Sequence, residues 1–432
     1  MSVTARTLAS ALGAIVHERA RDDADTLAAA AIDGRPPRWV VTPASVDELA
    51  QVIALARDEG LAVAPRGSGS AFGLGRPPQR LDVIVDLRGL SRVLEYSPED
   101  LTVTVEAGVT AGALAARLGE RRQLLPLDPP GWAARTLGGI TATNASGPLR
   151  TRYGTARDLL LGVRFVQADG VVTWGGAKVV KSVTGYDVPK LMTGALGTLG
   201  VLAELTLRLH PLPDFEATAL VTLRSAEAAQ QMIAALVDST IQPNRVELLD
   251  ERALIACGLP TAPVALAISI ATVEPAVRAQ HAAVAALAER THGTVDTMGA
   301  TFWRAYDRAH AAPEGLVLRI ATLVTRLAST LGEIHGVLGD GARVTGSAIL
   351  GTLRVSARAA DVDATARAIE RLRDVVAESD GSIVIERGPR ALRERLDPWG
   401  PIAPDTLAVM RRLKTEFDPT GVLNPGRFVG GL

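Results

Sequence analysis

A single cysteine, Cys257, occurs in 432 residues, so the chain cannot form an internal disulfide. It lies in an apolar helical stretch and reads as a buried, unreactive thiol. A charge excess is missing as well: 46 Lys and Arg face 47 Asp and Glu. Nucleic-acid-binding proteins carry a basic footprint, so that class of partner is not expected. No run reaches the ~18 apolar residues that a membrane-spanning helix needs. The start, Met1–Arg21, is interrupted by Arg6, His17, Glu18 and Arg19 and lacks the apolar core of a signal peptide. A cytoplasmic protein is expected, with any membrane association peripheral, at the inner face and made through partners. Histidine is scarce too. His17, His210, His281, His292, His310 and His335 show no metal-ligand spacing, and each reads as a surface or satisfied core side chain.

What is present indicates two domains. At ~100–200 residues per domain, this length suits two units with a returning tail. Ser45 caps a helix, with Glu48 three residues on and Leu49, Val52, Ile53 and Leu55 on one face, and Gly60 ends it. Leu61–Ala64 and Val83–Val85 read as buried strands, and Leu101–Val105 alternates like a strand with one wet face. A helix over Ala111–Glu120 follows. Asp169-Gly170 is a hairpin turn between Val163–Gln167 and Val171–Trp174. Val201–Leu209 alternates again, until Pro211 and Pro213 stop the pattern and mark a boundary. Beyond it, alanine-rich helices such as Ala226–Val237 and Val362–Glu378 alternate with strands such as Val264–Ile270 and Ala348–Val355. Helices on one face of an antiparallel sheet, an α+β architecture, satisfy that pattern. The expected division is 1–34, 35–213, 214–395 and a tail, 396–432, that returns to the first domain.

Three stretches poor in bulky side chains carry the chemistry. In Pro65-Arg66-Gly67-Ser68-Gly69-Ser70-Ala71-Phe72-Gly73, the glycines let successive N–H groups converge on an anion, and Arg66 offsets charge. No Gly-Lys-Ser/Thr follows, which removes the P-loop reading. Arg76-Pro77-Pro78 stands where a dinucleotide fingerprint needs a helix. Alone, the loop fits a structural turn as well as an anion cradle. The second stretch runs from Thr136 to Gly147, through Gly138, Gly139, Thr141, Thr143, Asn144 and Ser146. Its small residues let an extended ligand lie against main chain, or let elements pack tightly. The third is Lys181–Asp187, followed by Gly194, Gly197, Gly200 and Val201, which also indicates close backbone approach.

In order and spacing, the three stretches resemble the FAD-linked oxidases of the vanillyl-alcohol oxidase and p-cresol methylhydroxylase type, and within them the FAD-binding subunits of glycolate oxidases. The resemblance is strong over Trp39–Leu209, weak around Phe302–Arg319 and distinct at Phe417–Arg427. It implies a two-part FAD-binding domain with an α+β cap. Pro65, Arg66, Gly67, Ser68, Gly69, Ser70 and Phe72 would cradle the FAD pyrophosphate. Gly138, Gly139, Thr141, Thr143, Ser146 and Gly147 would line the ribityl and adenine side. Pro129 and Tyr153 would add contacts, and the backbone near Val201 would approach the isoalloxazine ring.

Two departures shape the expectation. Covalent members carry a histidine in or near the first loop, whereas this chain has Ser68, Ser70 and Ala71, so non-covalent FAD is expected. The histidine and metal motif of catalytic hydroxy-acid dehydrogenases is missing from the second domain, so catalytic residues stay unassigned. Arg319 and Arg354 could clamp a carboxylate or pair with an acid. The resemblance implies a subunit that works beside a catalytic flavoprotein and an iron–sulfur subunit, the assembly oxidising glycolate, a small 2-hydroxy acid, and passing electrons to quinone. A stand-alone oxidoreductase and a non-catalytic scaffold are the alternatives.

Overall fold

The computed structural model describes residues 3–178, 185–299, 301–311 and 315–432, with side chains from residue 8 onward. Lys181–Thr184, part of the third glycine-rich stretch, lies outside the described residues.

The first sheet joins β1 (Ala20–Arg21), β2 (Trp39–Val41), β3 (Val63–Arg66) and β4 (Val83–Asp86) in the order β1-β2-β4-β3. β2, β4 and β3 run parallel, as strands buried on both faces do. Helix α1 (Val46–Asp58) starts where the Ser45 hydroxyl accepts from Glu48 N at 3.1 Å, and it buries Leu49, Val52, Ile53 and Ala56. The second sheet holds β5 (Val93–Ser97), β6 (Thr102–Glu106), β7 (Leu160–Val166), β8 (Val172–Gly176) and β9 (Val201–Arg208), in the order β5-β6-β9-β7-β8. Asp169-Gly170 turns between β7 and β8, with Gly170 at φ 87°. The two sheets share one core, since Val166 and Val201 of the second pack with Val63 and Val83 of the first and with Ile53 of α1.

β6 differs from its alternating pattern because both of its faces are covered. Thr104 is buried and satisfied by Thr206 Oγ1 at 2.9 Å. Glu106, 1% exposed, accepts from Arg92 N and from its guanidinium, each at 2.7 Å. Paired polar groups can be buried at small net cost, so alternation there does not signal a wet face.

Helices α2 (Ala111–Gly119) and α3 (Leu137–Thr143) pack on the second sheet through Leu114, Leu118, Leu137 and Ile140, and the single turn α4 (Arg150–Tyr153) follows. From Phe215 the chain builds an antiparallel sheet of β10 (Phe215–Leu223), β11 (Arg245–Asp250), β12 (Val264–Thr272), β13 (Thr294–Met298), β14 (Leu316–Ala321), β15 (Arg343–Ser347), β16 (Thr352–Ala357) and β17 (Ser382–Arg387). Their order is β13-β10-β12-β11-β15-β16-β14-β17. Residues 348–350, expected as strand, form a 3₁₀ turn instead. Gly351 at φ 60° ends that turn, where a Cβ would stand 1.9 Å from Thr322 O.

Helices α5 (Ala226–Val237), α6 (Glu274–Arg290), α8 (Leu327–Leu338) and α9 (Val362–Ala377) pack on one face of this sheet, while α7 (Phe302–Ala311) packs on the other. The period-2 pattern then sorts the strands. Val246, Leu248, Leu318, Ile320, Leu353, Val355, Ile383 and Ile385 enter the core under the four helices. Arg245, Glu247, Arg319, Arg354 and Glu386 therefore face the opposite way, toward the first half of the chain.

Short helix α10 (Arg390–Arg395) and helix α11 (Pro404–Phe417) lead the tail back. Val63 N donates to Val422 O at 2.8 Å and Asn424 N to Val63 O at 2.7 Å, which adds the tail as a parallel bridge beside β3. Asp418, fully buried, fixes this turn by accepting from Val422 N, Leu423 N and Lys414 Nζ.

Candidate functional site

Two cavities lie along the face that the first half presents. The smaller, ≈ 90 Å³, is walled by Pro65–Phe72, by Gly138, Gly139, Ala142 and Thr143 of α3, by Leu196 and Gly197, and by Arg135, Asn424 and Arg427. Gly69 and Gly138, 69 positions apart, thus share one cavity. Gly67 passes so close to α3 that a Cβ would stand 1.9 Å from Thr136 Oγ1, the N-cap oxygen that accepts from Gly139 N at 3.2 Å. Gly69 is different, since at φ 75° its added Cβ would meet nothing nearer than 3.6 Å. Its main chain therefore borders open space.

The lining is cationic. Arg66, Arg135 and Arg427 contribute guanidinium groups, and among the described residues no carboxylate lines the cavity with them. Arg66 Nε, Arg135 Nε, and Nε and Nη1 of Arg427 are buried without hydrogen-bond partners. Unpaired buried donors are costly, so an acceptor belongs here. Arg427 is held by Phe72 O at 3.0 Å and Leu74 O at 2.8 Å, and burial lowers its pKa to about 10. Asp33 partly offsets that burial, with Oδ2 3.7 Å from Arg427 Nη1, and it also accepts from the buried Arg393 of α10. Lys414 Nζ ties the tail to the cavity floor through Thr198 O at 2.8 Å, and Asn424 Nδ2 does so through Leu196 O at 2.8 Å.

The larger cavity, ≈ 660 Å³, opens between the two halves. Ser146, Gly147 and Asp128 line one side, and the charged strand residues with Trp303, Tyr306 and His310 of α7 line the other. Tyr306 Oη donates to Glu247 Oε2 at 2.6 Å. Burial pushes the Glu247 carboxyl up to about 8, with the Asp128 charge adding and Tyr306, Arg245 and Arg150 opposing. Burial also raises Asp128 to about 6, against the pull of Arg245. His310 Nδ1 lies 2.6 Å from Tyr306 O, and burial depresses the ring pKa to about 4. Its Nε2 is buried without a partner, so this histidine is not the satisfied core side chain expected.

Of the residues singled out in the sequence, Pro65, Arg66, Gly67, Ser68, Gly69, Ser70, Phe72, Gly138, Gly139 and Thr143 line the smaller cavity, and Ser146 and Gly147 the larger. The others lie elsewhere. Thr141 and Val201 are buried in the protein interior, and Leu202 reaches the cavity instead of Val201. Pro129 is buried between Asp128 and Pro130, which do line the larger cavity. Tyr153 stacks edge-on with His210 at 4.8 Å and accepts from Asn244 Nδ2 at 3.2 Å. Arg319 and Arg354 line the cleft but share Glu386, at 3.2 and 4.0 Å. Sequence reasoning missed Arg135, Arg427, Arg245, Glu247 and Tyr306. The strand alternation that exposed Arg319 and Arg354 would also have exposed Arg245 and Glu247.

Residues 37–176 match the FAD binding domain family, and residues 212–333 and 345–428 match the FAD linked oxidases, C-terminal domain. The chain belongs to the FAD-linked oxidases. Glycolate oxidase subunit GlcD of Bacillus subtilis is 30% identical over 52% of this chain and 49% of its own length. Glycolate oxidase subunit GlcE of Escherichia coli is 34% identical over 41% and 49%. The chain thus spans about half the length of these two relatives. D-2-hydroxyglutarate dehydrogenase of Xanthomonas citri pv. viticola is 28% identical over 90% and 89%. A solved structure of p-cresol methylhydroxylase with substrate bound shares the fold at TM-score 0.80 and 17% identity, over 99% of this chain and 97% of that one.

As an FAD-linked oxidase the chain binds FAD, and the smaller cavity, ≈ 90 Å³, has room for part of that group. Its unpaired guanidinium atoms and the open main chain at Gly69 suit a pyrophosphate. Among the described residues, no helix is long and apolar enough to cross a membrane, and no group of His, Cys, Asp and Glu could hold a metal ion.

Proposed function

We propose that this protein holds FAD non-covalently and takes part, as one subunit of a larger assembly, in oxidising a small 2-hydroxy acid of the glycolate type to its 2-oxo acid. The assembly would include a catalytic flavoprotein subunit and an iron–sulfur subunit that passes electrons to quinone. The observation that carries the reading is the smaller cavity, where the main chain of residues 65–72 and the side chains of Arg66, Arg135 and Arg427 line one space that no described carboxylate shares. FAD, when bound, supplies the two-electron acceptor.

The chain's own residues would then divide the work. Residues 65–72 and Gly138–Thr143 hold the pyrophosphate and its neighbours, Arg66, Arg135 and Arg427 offset its charge, and the tail fixes the floor. No histidine or cysteine lines this cavity among the described residues, which supports non-covalent binding. Residues 35–213 and 214–395 serve as the FAD-binding and cap domains. Membrane association, in this reading, is peripheral and comes through partners.

A specific observation favours a second reading, a stand-alone oxidoreductase, because the ≈ 660 Å³ cleft brings charged groups of its own. The test begins with the absorption spectrum of the purified chain. Flavin bands that bleach on adding glycolate only when partner subunits are present support the first reading, and bleaching of the chain alone supports the second. A colourless chain that still assembles would reject both in favour of a scaffold.

A further inference from the structure

The interdomain cleft has a charge pattern that the FAD reading does not use. Its lining carries six arginines, at 150, 245, 304, 308, 319 and 354, against four carboxyls, at 128, 247, 307 and 386. Most are already engaged. Arg245 pairs with Asp128 and Glu216 and lies 4.8 Å over the Trp303 ring. Arg319 and Arg354 share Glu386. Asp307 accepts from Gly131 N at 2.8 Å. Arg304 and Arg308 are exposed and solvated.

Besides Arg354 Nε and His310 Nε2, which are buried without hydrogen-bond partners, two charged groups remain incomplete. Arg150, on α4 and half-buried, has no side-chain hydrogen bond or ion pair among the described residues, and burial lowers its pKa. Glu247, 3% exposed, receives Tyr306 on Oε2, while no described protein group donates to Oε1. A half-buried cation and a buried carboxyl with a bare oxygen, bordering one cavity, are both stabilised by a ligand that bears an anion and a hydroxyl.

We infer that this cleft is a binding site for a small hydroxycarboxylate, with the ligand carboxylate on Arg150 and its hydroxyl on the Glu247–Tyr306 pair. The inference rests on the proposed function only for the class of ligand. It places the hydroxyl on a carboxyl that can exchange its proton. Glu247 faces Arg245 on its own strand, Asp128 and Arg150 from the first half and Tyr306 from α7, and its cross-strand neighbour on β15 is Ser347. With its carboxyl near 8, the site is neutral at Glu247 below that pH and anionic above it. An arriving anion favours the protonated form, so binding takes up a proton above pH 8 and weakens as Glu247 ionises.

The test is calorimetric titration of the FAD-loaded chain with 2-hydroxyisobutyrate, which has no hydrogen on its hydroxyl carbon and is not oxidised. Running it in two buffers of different ionisation enthalpy reads the protons exchanged. The wild type is expected to bind about tenfold more weakly at pH 9 than at pH 7 and to take up close to one proton at pH 9. Glu247→Gln should abolish both the uptake and the pH dependence. Tyr306→Phe removes a donor that lowers the Glu247 pKa, so it should move the fall in affinity to higher pH, and it serves if the first variant misfolds. Arg150→Met should weaken binding at least tenfold at both pH values, and isobutyrate, without the hydroxyl, should bind more weakly than its hydroxy analogue. No saturable binding by the wild type, unchanged uptake in Glu247→Gln, or full affinity in Arg150→Met overturns the assignment. Because the readout is equilibrium binding, its failure leaves the flavin-bleaching test intact, and failure of glycolate to bleach flavin leaves this site intact.

Discussion

Gly67→Ala tests whether the cradle is built by packing against α3 rather than by flexibility of a glycine loop. The new Cβ would lie 1.9 Å from Thr136 Oγ1, and Thr136 is only 1% exposed, so it has no free space to turn into. Displacing it loses the cap on Gly139 N, worth about 0.5–2 kcal/mol. It also leaves a buried hydroxyl unsatisfied, at about 1–3 kcal/mol. If the cavity must hold its shape to bind FAD, a distortion of about 2–4 kcal/mol raises the dissociation constant roughly 30- to 700-fold. Thr136→Ala removes the colliding oxygen and leaves a Cβ contact of 3.0 Å, so Gly67→Ala/Thr136→Ala should bind FAD about as well as Thr136→Ala alone. That is a coupling of about 2 kcal/mol between the two sites. Gly69→Ala is the control. At φ 75° it is strained by about 1–2 kcal/mol but clashes with nothing, and Thr136→Ala should not rescue it. Fluorescence titration of the apo chain with FAD measures all six proteins, the Gly69→Ala/Thr136→Ala double variant included. Wild-type affinity in Gly67→Ala, or a double variant as weak as the two single effects multiplied, would refute the packing account.

Three other perturbations have definite signs. Asp33→Asn leaves Arg393 and Arg427 buried without their shared carboxylate, so it should destabilise the fold by about 3–5 kcal/mol, read from urea unfolding. Glu247 has a folded-state pKa raised from 4.5 to about 8, so its stabilising contribution is complete below pH 4.5 and is lost as pH rises toward 8. At about 1.4 kcal/mol per pH unit the loss is on the order of 5 kcal/mol. Glu247→Gln should flatten that decline and be more stable than wild type at pH 9 in the same assay. Burial pushes the Cys257 thiol up to about 11, so at pH 8 iodoacetamide should alkylate it on the order of 100-fold more slowly than a free thiol. Alkylation at the free-thiol rate, followed by mass spectrometry, would reject that environment.

Much of the first half was legible because its signals are local. The Ser45 cap, the Asp169-Gly170 turn and the glycine-rich stretches each act through neighbouring residues. The alternation of the cap strands was also readable, and it sorts their side chains correctly. What could not be read is what lies across from a given face. β6 alternates like a half-wet strand, yet Arg92 and Thr206, distant in sequence, satisfy its polar side chains. Gly67 looks like a flexible ligand-binding glycine, but its nearest constraint is Thr136, 69 positions away. Val201 lies beside a glycine run and still points into the shared core of two sheets, because a strand sends neighbouring residues to opposite faces. His310 is one of six scattered histidines until α7 buries it at the end of the cleft.

The two cavities solve opposite electrostatic problems, and this explains why the tail is built as it is. The smaller one gathers cations without carboxylates, which would be unstable in a chain that had to stay empty. Asp33, Asp418 and the carbonyls of Phe72 and Leu74 hold that charge from behind, so the face toward the ligand stays cationic. Asp418 does so indirectly, by locking Lys414 and the turn that delivers Asn424 and Arg427. The cleft instead compensates its charges internally and raises the proton affinity of the carboxyls it buries. A site built the first way favours a ligand of fixed charge that stays bound. One built the second way binds and releases a small acid as protons come and go, which suits a substrate more than a cofactor.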